Sequence, residues 1–192
     1  MSIALTLEGS FTLIETIPKQ LPYLYPNVHN KTEWQQRLGH KTKMRVGLVW
    51  LATNVHKNDH NRSIPFETLN SLFNLPIEYH CLQKKMRPDD ESAASSMDML
   101  TIHKDFFLDF SDTATLIPEM DVVISVDTSV AHLAGVLGQE VWILLPNDPD
   151  YLWMLERHVR PWYPTARLFR QTKKLKLSPN LGGLNNYYLI IQ

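Results

Sequence analysis

The sequence predicts an α/β domain with a doubly wound, mostly parallel sheet of the Rossmann type. Apolar segments such as residues 45–50 (RVGLVW) and 121–126 (DVVISV) lack the polar alternation of half-exposed strands, which is typical of strands buried on both faces. These segments alternate with stretches of helical period. A strand–helix alternation of this kind predicts parallel strands with helices packed on both faces.

The individual elements follow in chain order. A short helix over 32–38 is expected to end near Gly39, because glycine commonly terminates helices. Strands are predicted over 45–50, 78–83, within 102–108, over 121–126 and over 141–146. Helices are predicted over 66–73 after Pro65, over 112–120 with Asp112 as N-cap, and over 128–137. Residues 92–100 have a weak pattern and are predicted to form a loop.

Residues 1–42 differ from the rest of the chain. Three prolines fall at four-residue spacing and prevent a regular helix: Pro18, Pro22 and Pro26. We therefore expect an extended, proline-rich connector over 1–42, followed by the Rossmann-like domain over 43–176 and an atypical tail over 177–192.

Composition excludes several classes of protein. The chain of 192 residues has 19 Lys and Arg against 20 Asp and Glu, so the formal net charge of −1 gives no case for nucleic acid or an anionic membrane. A single cysteine, Cys81, excludes an intramolecular disulfide framework and is expected to be a core residue. No apolar run is long enough to span a bilayer, and the N-terminus is a poor signal peptide, so we expect a cytoplasmic protein.

The strongest candidate site follows the strand at 121–126. The chain leaves this strand through Asp127, Thr128 and Ser129, where a helix begins. Asp127 or Thr128 can cap that helix, and the free N–H groups of its first turn, including that of Val130, favour an anion such as phosphate. The alternative, that these three residues only cap a helix, stays open on physical grounds alone.

His132 is placed by helical arithmetic. The apolar stripe of the helix comprises Val130, Leu133, Ala134 and Leu137, which follow the i, i+3, i+4, i+7 pattern. His132 then points roughly opposite the middle of the stripe. It is either a site residue or a plain surface histidine.

Four blocks occur in a recognisable order: residues 45–69, 79–84 (YHCLQK), 123–155 (VISVDTSVAHLAGVLGQEVWILLPNDPDYLWML) and 161–171 (PWYPTARLFRQ). Together they resemble the C-terminal domain of glycosyltransferase family 9, the ADP-heptose:lipopolysaccharide heptosyltransferases. Within that family they resemble the bacterial branch found behind tetratricopeptide repeats. The resemblance implies one half of a GT-B fold, a nucleotide-diphosphate-sugar donor linked to ADP, UDP or GDP, and transfer without a metal or other cofactor.

The resemblance also implies roles for single residues. Asp127 would face the donor sugar and His132 would lie near the reacting groups, so these two are the candidate catalytic residues. Backbone N–H groups of Thr128, Ser129 and Val130 would bind the diphosphate. The remaining candidate ligands of the donor are cationic or amide side chains, namely Arg62, Gln83 and Lys84.

Other polar and aromatic signals carry less information. His56 and His60 have a spacing that could hold a metal on a helix, but the turn-forming residues between them favour a polar loop. Asp148 and Asp150 follow a strand end and could reach a donor sugar or cap a helix. The aromatic residues Trp142, Trp153, Trp162 and Tyr163 could stack on a base, although core packing is expected for Trp142.

The chain departs from the family in two places. Its first residues resemble an interior stretch of the family pattern, which would leave out the N-terminal acceptor domain and its base. Its last residues, 177–192, carry Pro179, Gly182 and Gly183 where relatives form an amphipathic helix.

These departures leave three functions open. The chain could be a metal-independent glycosyltransferase completed by a second chain or copy, a nucleotide-binding module without turnover, or a relic interaction domain that forms homo-oligomers.

Overall fold

The structure is a computed structural model that describes residues 20–52, 62–146, 149–153 and 162–171. The predicted loop at His56 and His60, Asp148 and the tail at 177–192 lie outside the described residues.

The described residues form one six-stranded sheet in which every neighbouring pair is parallel. The strands are β1 (Arg45–Val49), β2 (Glu78–Cys81), β3 (Leu100–Ile102), β4 (Val122–Val126), β5 (Val141–Leu145) and β6 (Ala166–Arg170). Their spatial order is β3-β2-β1-β4-β5-β6. This is the doubly wound order of a Rossmann-like sheet, so the predicted fold class is confirmed.

Four α-helices are present among the described residues: α1 (Val28–Leu38), α2 (Pro88–Ser95), α3 (Phe110–Leu116) and α4 (Ser129–Val136). None of them is long and apolar enough to cross a membrane. The α1 helix ends as expected, since Gly39 follows it with φ +66° and donates its N–H to the Gln35 carbonyl.

The strands are buried because the core lies on both faces of the sheet. Along β4, Val123 packs on the face covered by α1, α3 and α4, whereas Val122 and Ile124 pack on the opposite face. All five residues of β4 are buried, as are all five of β1. This arrangement explains why the two strands have no polar alternation.

Several predicted elements were wrong in detail. Residues 92–100 are not a loop, because they hold the end of α2 and the first residue of β3. The helix predicted over 66–73 is two 3₁₀ turns, Phe66–Leu69 and Leu72–Asn74. The N-cap of α3 is Asp109, and Asp112 instead accepts from the Asp109 N–H as the second partner of a capping box.

Candidate functional site

The candidate site lies at the carboxyl edge of the sheet, between β1 and β4. The strand order changes direction there, since β2 and β3 lie to one side of β1 while β4, β5 and β6 lie to the other. Loops that leave neighbouring strands in opposite directions open a crevice at this position, where doubly wound folds bind their ligands. The segments that follow β1, β2 and β4 therefore meet at one edge.

Arg62 and Asp127 bridge this crevice. The Arg62 Nη2 atom donates to the Asp127 carbonyl oxygen at 2.5 Å and lies 3.1 Å from the Asp127 Oδ2 atom. The Asp127 side chain is only 5% exposed, so its charge depends on this guanidinium for compensation. The Nε atom of Arg62 is buried and has no hydrogen-bond acceptor among the described residues. One donor of the guanidinium group is thus left unpaired among the described residues.

The start of α4 presents open backbone donors at the same place. Thr128 is the N-cap, and its Oγ1 atom accepts from the Ala131 N–H. The hydroxyl is itself held by Ser125, whose Oγ atom lies 3.0 Å away. Helix geometry leaves the N–H groups of Ser129 and Val130 without an acceptor inside the helix, and the helix dipole adds positive potential. The predicted cap is confirmed for Thr128.

His132 is neither a core residue nor a free surface residue. Its ring stacks on Trp153 with centroids 5.1 Å apart and planes 19° apart, and its side chain is 32% exposed. The Nδ1 atom lies 3.0 Å from the Tyr163 hydroxyl, and the Nε2 atom lies 3.8 Å from Asp127 Oδ1. Burial lowers the pKa of His132 more than the nearby carboxylate of Asp127 raises it. The imidazole is therefore neutral at pH 7.

Gln83 is held at the end of β2 with a defined orientation. Its Oε1 atom accepts from the backbone N–H groups of Trp50 and Leu51, at 2.5 and 2.8 Å. Two donors on one atom identify that atom as the oxygen of the amide. The Nε2 atom is buried and has no acceptor among the described residues. Gln83 therefore joins β1 to β2 and keeps an unused donor at the carboxyl edge.

The ammonium group of Lys84 is hydrogen-bonded to backbone carbonyls of the protein. It donates to the carbonyl oxygen of Phe107 and to that of Leu108, the latter at 2.9 Å. These carbonyls belong to the segment between β3 and α3, so Lys84 anchors that segment to the end of β2. Its predicted role as a ligand of the donor stays a prediction.

The remaining candidates are spread around the site. Asp150 accepts from the Leu152 N–H at 3.2 Å and begins a short 3₁₀ turn. Trp142 is not fully in the core, because it lies half-buried on β5 against Phe169 and Arg167. Among the described residues no group of three or more His, Cys, Asp or Glu side chains could hold a metal ion.

Cys81 is confirmed as a core residue. It is completely buried, and burial raises the pKa of its thiol to about 12, so it has no thiolate character at neutral pH.

Tyr163 and Trp153 were considered as residues that stack on a base, and their contact with His132 was not predicted. Tyr163 lies 31 positions from His132 in the chain. Only the fold brings them together, since β6 places the loop before it beside α4. Trp162 and Tyr163 are adjacent in the sequence but differ in their surroundings. Trp162 is 40% exposed, whereas Tyr163 packs on α4.

Comparison with known proteins gives a fold and one distant relative. No protein-family model matches the chain. Protein FlbA of Caulobacter vibrioides is 25% identical over 178 residues, which are 88% of this chain and 29% of FlbA. The E. coli ADP-heptose lipopolysaccharide heptosyltransferase II superposes with a TM-score of 0.55 and 15% identity, covering 80% of this chain and 47% of the enzyme. The E. coli heptosyltransferase WaaC with ADP superposes with a TM-score of 0.52 and 14% identity, covering 91% of this chain and 51% of the enzyme.

The chain thus spans about half the length of these two enzymes and less than a third of FlbA. At this level of identity the likeness to the solved structures concerns the fold. The chain has the Rossmann-like fold of a part of the ADP-heptose heptosyltransferases.

Proposed function

We propose that this domain binds the nucleotide diphosphate portion of a nucleotide-sugar donor, as the donor half of a glycosyltransferase. The observation that carries the proposal is the contact between Arg62 and Asp127. It crosses the crevice between β1 and β4, beside the open N–H groups at the start of α4. A guanidinium with a buried, unused Nε donor next to a helix start is a suitable environment for a diphosphate.

The donors converge on one kind of ligand. Arg62 and the N–H groups of Ser129 and Val130 would bind phosphate oxygens. The Gln83 amide would donate to an acceptor at the β2 side, such as a ribose hydroxyl or a phosphate. All these groups are donors or cations, and the Asp127 carboxylate among them is already paired. The ligand portion bound here is therefore anionic.

Asp127 and His132 are the candidate catalytic residues. When a glycosyl group is transferred, negative charge develops on the departing nucleoside diphosphate. Fixed donors around the diphosphate stabilise that charge, so transfer would need no metal. Asp127 Oδ1, 3.8 Å from His132 Nε2, would lie towards the donor sugar.

The comparisons support ADP as the first nucleotide to test. One similar structure is that of an ADP-heptose lipopolysaccharide heptosyltransferase, and the other contains ADP. Titration calorimetry should compare ADP, UDP and GDP at low salt with EDTA present. We expect binding of at least one of the three in the absence of any divalent ion.

Two variants and one control sharpen the calorimetry. Arg62→Lys keeps the charge beside Asp127 but loses the fork, and Ser129→Trp places a bulky side chain on the exposed first turn of α4. Each should weaken the affinity about tenfold or more, which corresponds to ~1.4 kcal/mol. Arg167→Ala removes an exposed cation on β6, away from the site, and should leave the affinity unchanged. No binding of any nucleotide to the unmodified chain would refute the proposal.

A binding module without turnover is the second candidate, because the groups at the crevice are mainly hydrogen-bond donors and a cation, which can hold an anion without any reaction. Release of free nucleotide from ADP-, UDP- and GDP-sugars separates the two candidates. Turnover by the chain alone, or after addition of a chain that supplies the other half, favours the transferase. Binding without turnover under both conditions favours the module.

An interaction role is favoured by three exposed apolar side chains within five residues. Phe106, Leu108 and Phe110 are 44%, 84% and 47% exposed, and they precede or begin α3. Apolar groups of this kind can mark a contact surface. Light scattering over a concentration series tests self-association, and Leu108→Ser should reduce it. A monomer at every concentration would contradict the homo-oligomer.

A further inference from the structure

The His132 imidazole is held on three sides. Tyr163 lies at its Nδ1 atom, Trp153 covers one ring face, and Asp127 lies towards Nε2. A ring fixed in this way cannot exchange its two nitrogens by flipping without losing the Tyr163 hydrogen bond. The identity of the nitrogen that carries the proton is then decided by its neighbours.

A second hydroxyl lies behind Tyr163. The phenol groups of Tyr163 and Tyr23 lie close to each other, and burial raises the pKa of both, so both keep their protons at neutral pH. Tyr23 is itself anchored to α4 through its N–H, which donates to the Val136 carbonyl at 3.2 Å. Tyr23, Tyr163 and His132 therefore form a continuous row from the N-terminal segment to the site.

The position of the imidazole proton follows from the charge of the neighbouring carboxylate. The neutral imidazole carries one proton, and the carboxylate of Asp127 near Nε2 can only accept. A lone pair on Nε2 would face that negative charge, whereas an N–H there is attracted to it. With the proton on Nε2, the Nδ1 atom accepts from the Tyr163 hydroxyl.

We propose that Tyr163 is a positioning residue that, together with Asp127, fixes His132 as the Nε2–H tautomer and so presents a neutral N–H donor to the anion at the start of α4. The assignment of that anion rests on the proposed function, but the tautomer does not. A neutral donor serves this place because it can bind phosphate oxygen without adding a charge next to Arg62.

Gly135 makes the arrangement possible. A Cβ atom at this position would lie 2.5 Å from the Tyr163 ring, so the absence of a side chain lets the phenol lie directly against α4. The ring packing and the hydroxyl hydrogen bond can therefore be separated by experiment. Tyr163→Phe keeps the ring on Gly135 and removes only the hydrogen bond to His132.

The test is long-range ¹H–¹⁵N correlation NMR on protein labelled at its eight histidines, recorded at pH 8 without nucleotide. His132→Gln identifies the His132 signals. We expect a pyrrole-like Nε2 and a pyridine-like Nδ1 in the unmodified protein, and averaged shifts from two tautomers in Tyr163→Phe. Tyr23→Phe is the matched control, and it should leave the tautomer unchanged because Tyr163 still donates to Nδ1.

Nucleotide titration then measures the consequence. Tyr163→Phe should lower the affinity about 3- to 10-fold, the effect of one lost or misdirected hydrogen bond. A pyrrole-like Nδ1 in the unmodified protein, or a tautomer unaffected by Tyr163→Phe, would overturn the proposal. The expected tautomer in a protein that binds no nucleotide would support the positioning of His132 and overturn the proposed function instead.

Discussion

Gly135 and Tyr163 fit together with no space for a methyl group between them. The nearest ring atom, Cγ of Tyr163, would lie 2.5 Å from a Cβ at position 135. Gly135 is the next-to-last residue of α4, a helical position where alanine would ordinarily be the better helix former, by up to about 1 kcal/mol. Its presence there is explained by the close approach of the aromatic ring.

Gly135→Ala is therefore expected to destabilise the protein in spite of its higher helix propensity. Displacement of the ring should cost about 1–3 kcal/mol in the free energy of unfolding. Urea denaturation measures this cost. In the background of Tyr163→Ala, where the ring is absent, the same change should be neutral or stabilising. A cost that is equal in both backgrounds would show that the ring is not the cause.

The buried histidine pair makes the fold sensitive to acid. His80 Nδ1 lies 3.1 Å from His103 Nε2, the two residues are 5% and 2% exposed, and burial is the main cause that lowers the pKa of each to about 4. In the unfolded chain the pKa of histidine is about 6.5. The unfolded state therefore binds more protons, and stability decreases as the pH falls from about 6.5 to about 4.

We expect this loss to be on the order of a few kcal/mol, measured by urea denaturation at pH 7 and pH 5. Replacement of both residues by leucine should flatten the dependence. His132 contributes in the same direction, since burial lowers its pKa as well. His40→Leu, at an exposed position, serves as the control and should keep the full dependence. An unchanged slope in the double variant would contradict the explanation.

Gln83→Glu tests the unused amide donor. The glutamate oxygen can still accept from the N–H groups of Trp50 and Leu51, but the donor towards the ligand is replaced by an acceptor. Because burial raises the pKa of a carboxyl group, calorimetry should be done at pH 8. We expect nucleotide affinity to fall about tenfold or more, while thermal unfolding shows that the fold is retained.

Gln36→Glu is the matched control for Gln83→Glu. It makes the same change in charge on the exposed side of α1, away from the carboxyl edge, and should leave nucleotide affinity as it is. Equal affinity in both variants and the unmodified protein would exclude a contact between Gln83 and the nucleotide.

Lys84→Met separates the two roles of Lys84. The methionine keeps most of the apolar stem and removes the ammonium group that binds the carbonyls of Phe107 and Leu108. If anchoring is the main role, the free energy of unfolding should fall by about 0.5–1.5 kcal/mol. Nucleotide affinity should then change by less than about twofold. Lys85→Met, at the neighbouring exposed position, should change neither. A large loss of affinity with full stability would instead identify Lys84 as a ligand.

Much of the sheet could be predicted because burial on two faces leaves a plain pattern. Four of the six strands, β1, β2, β4 and β5, were placed to within two residues by their apolar runs. The sixth strand was not predicted, since Ala166–Arg170 includes two arginines and has only one fully buried residue. Its pairing with β5 is what makes it a strand.

Helices without an apolar stripe were harder to predict. The α2 sequence, PDDESAAS, has only Ala94 fully buried. A hydrogen bond to a distant part of the chain helps to fix the position of α2, because Asp90 accepts from the Phe66 N–H at 3.1 Å. A hydrogen bond between positions 24 residues apart leaves no local signal in the sequence.

The residues of the candidate site could likewise be predicted only in part. Asp127, Thr128 and Ser129 could be found because they interrupt an apolar strand at a helix start. The partners of His132 could not, since stacking on Trp153 and the hydrogen bond to Tyr163 depend on tertiary structure. The unpaired donors of Gln83 and Arg62 likewise cannot be recognised until the structure shows the hydrogen-bond partners of their other atoms.

The position of β1 has a consequence for how the chain folds during synthesis. Val46 pairs with Tyr79 on one side and with Val122 on the other, 33 and 76 residues later. One edge of β1 can thus be covered soon after synthesis, but the other remains open until β4 has left the ribosome. Because such long-range parallel pairing is slow, a nascent chain arrested between these strands exposes the unpaired backbone edge of an apolar strand to chaperones or to other chains.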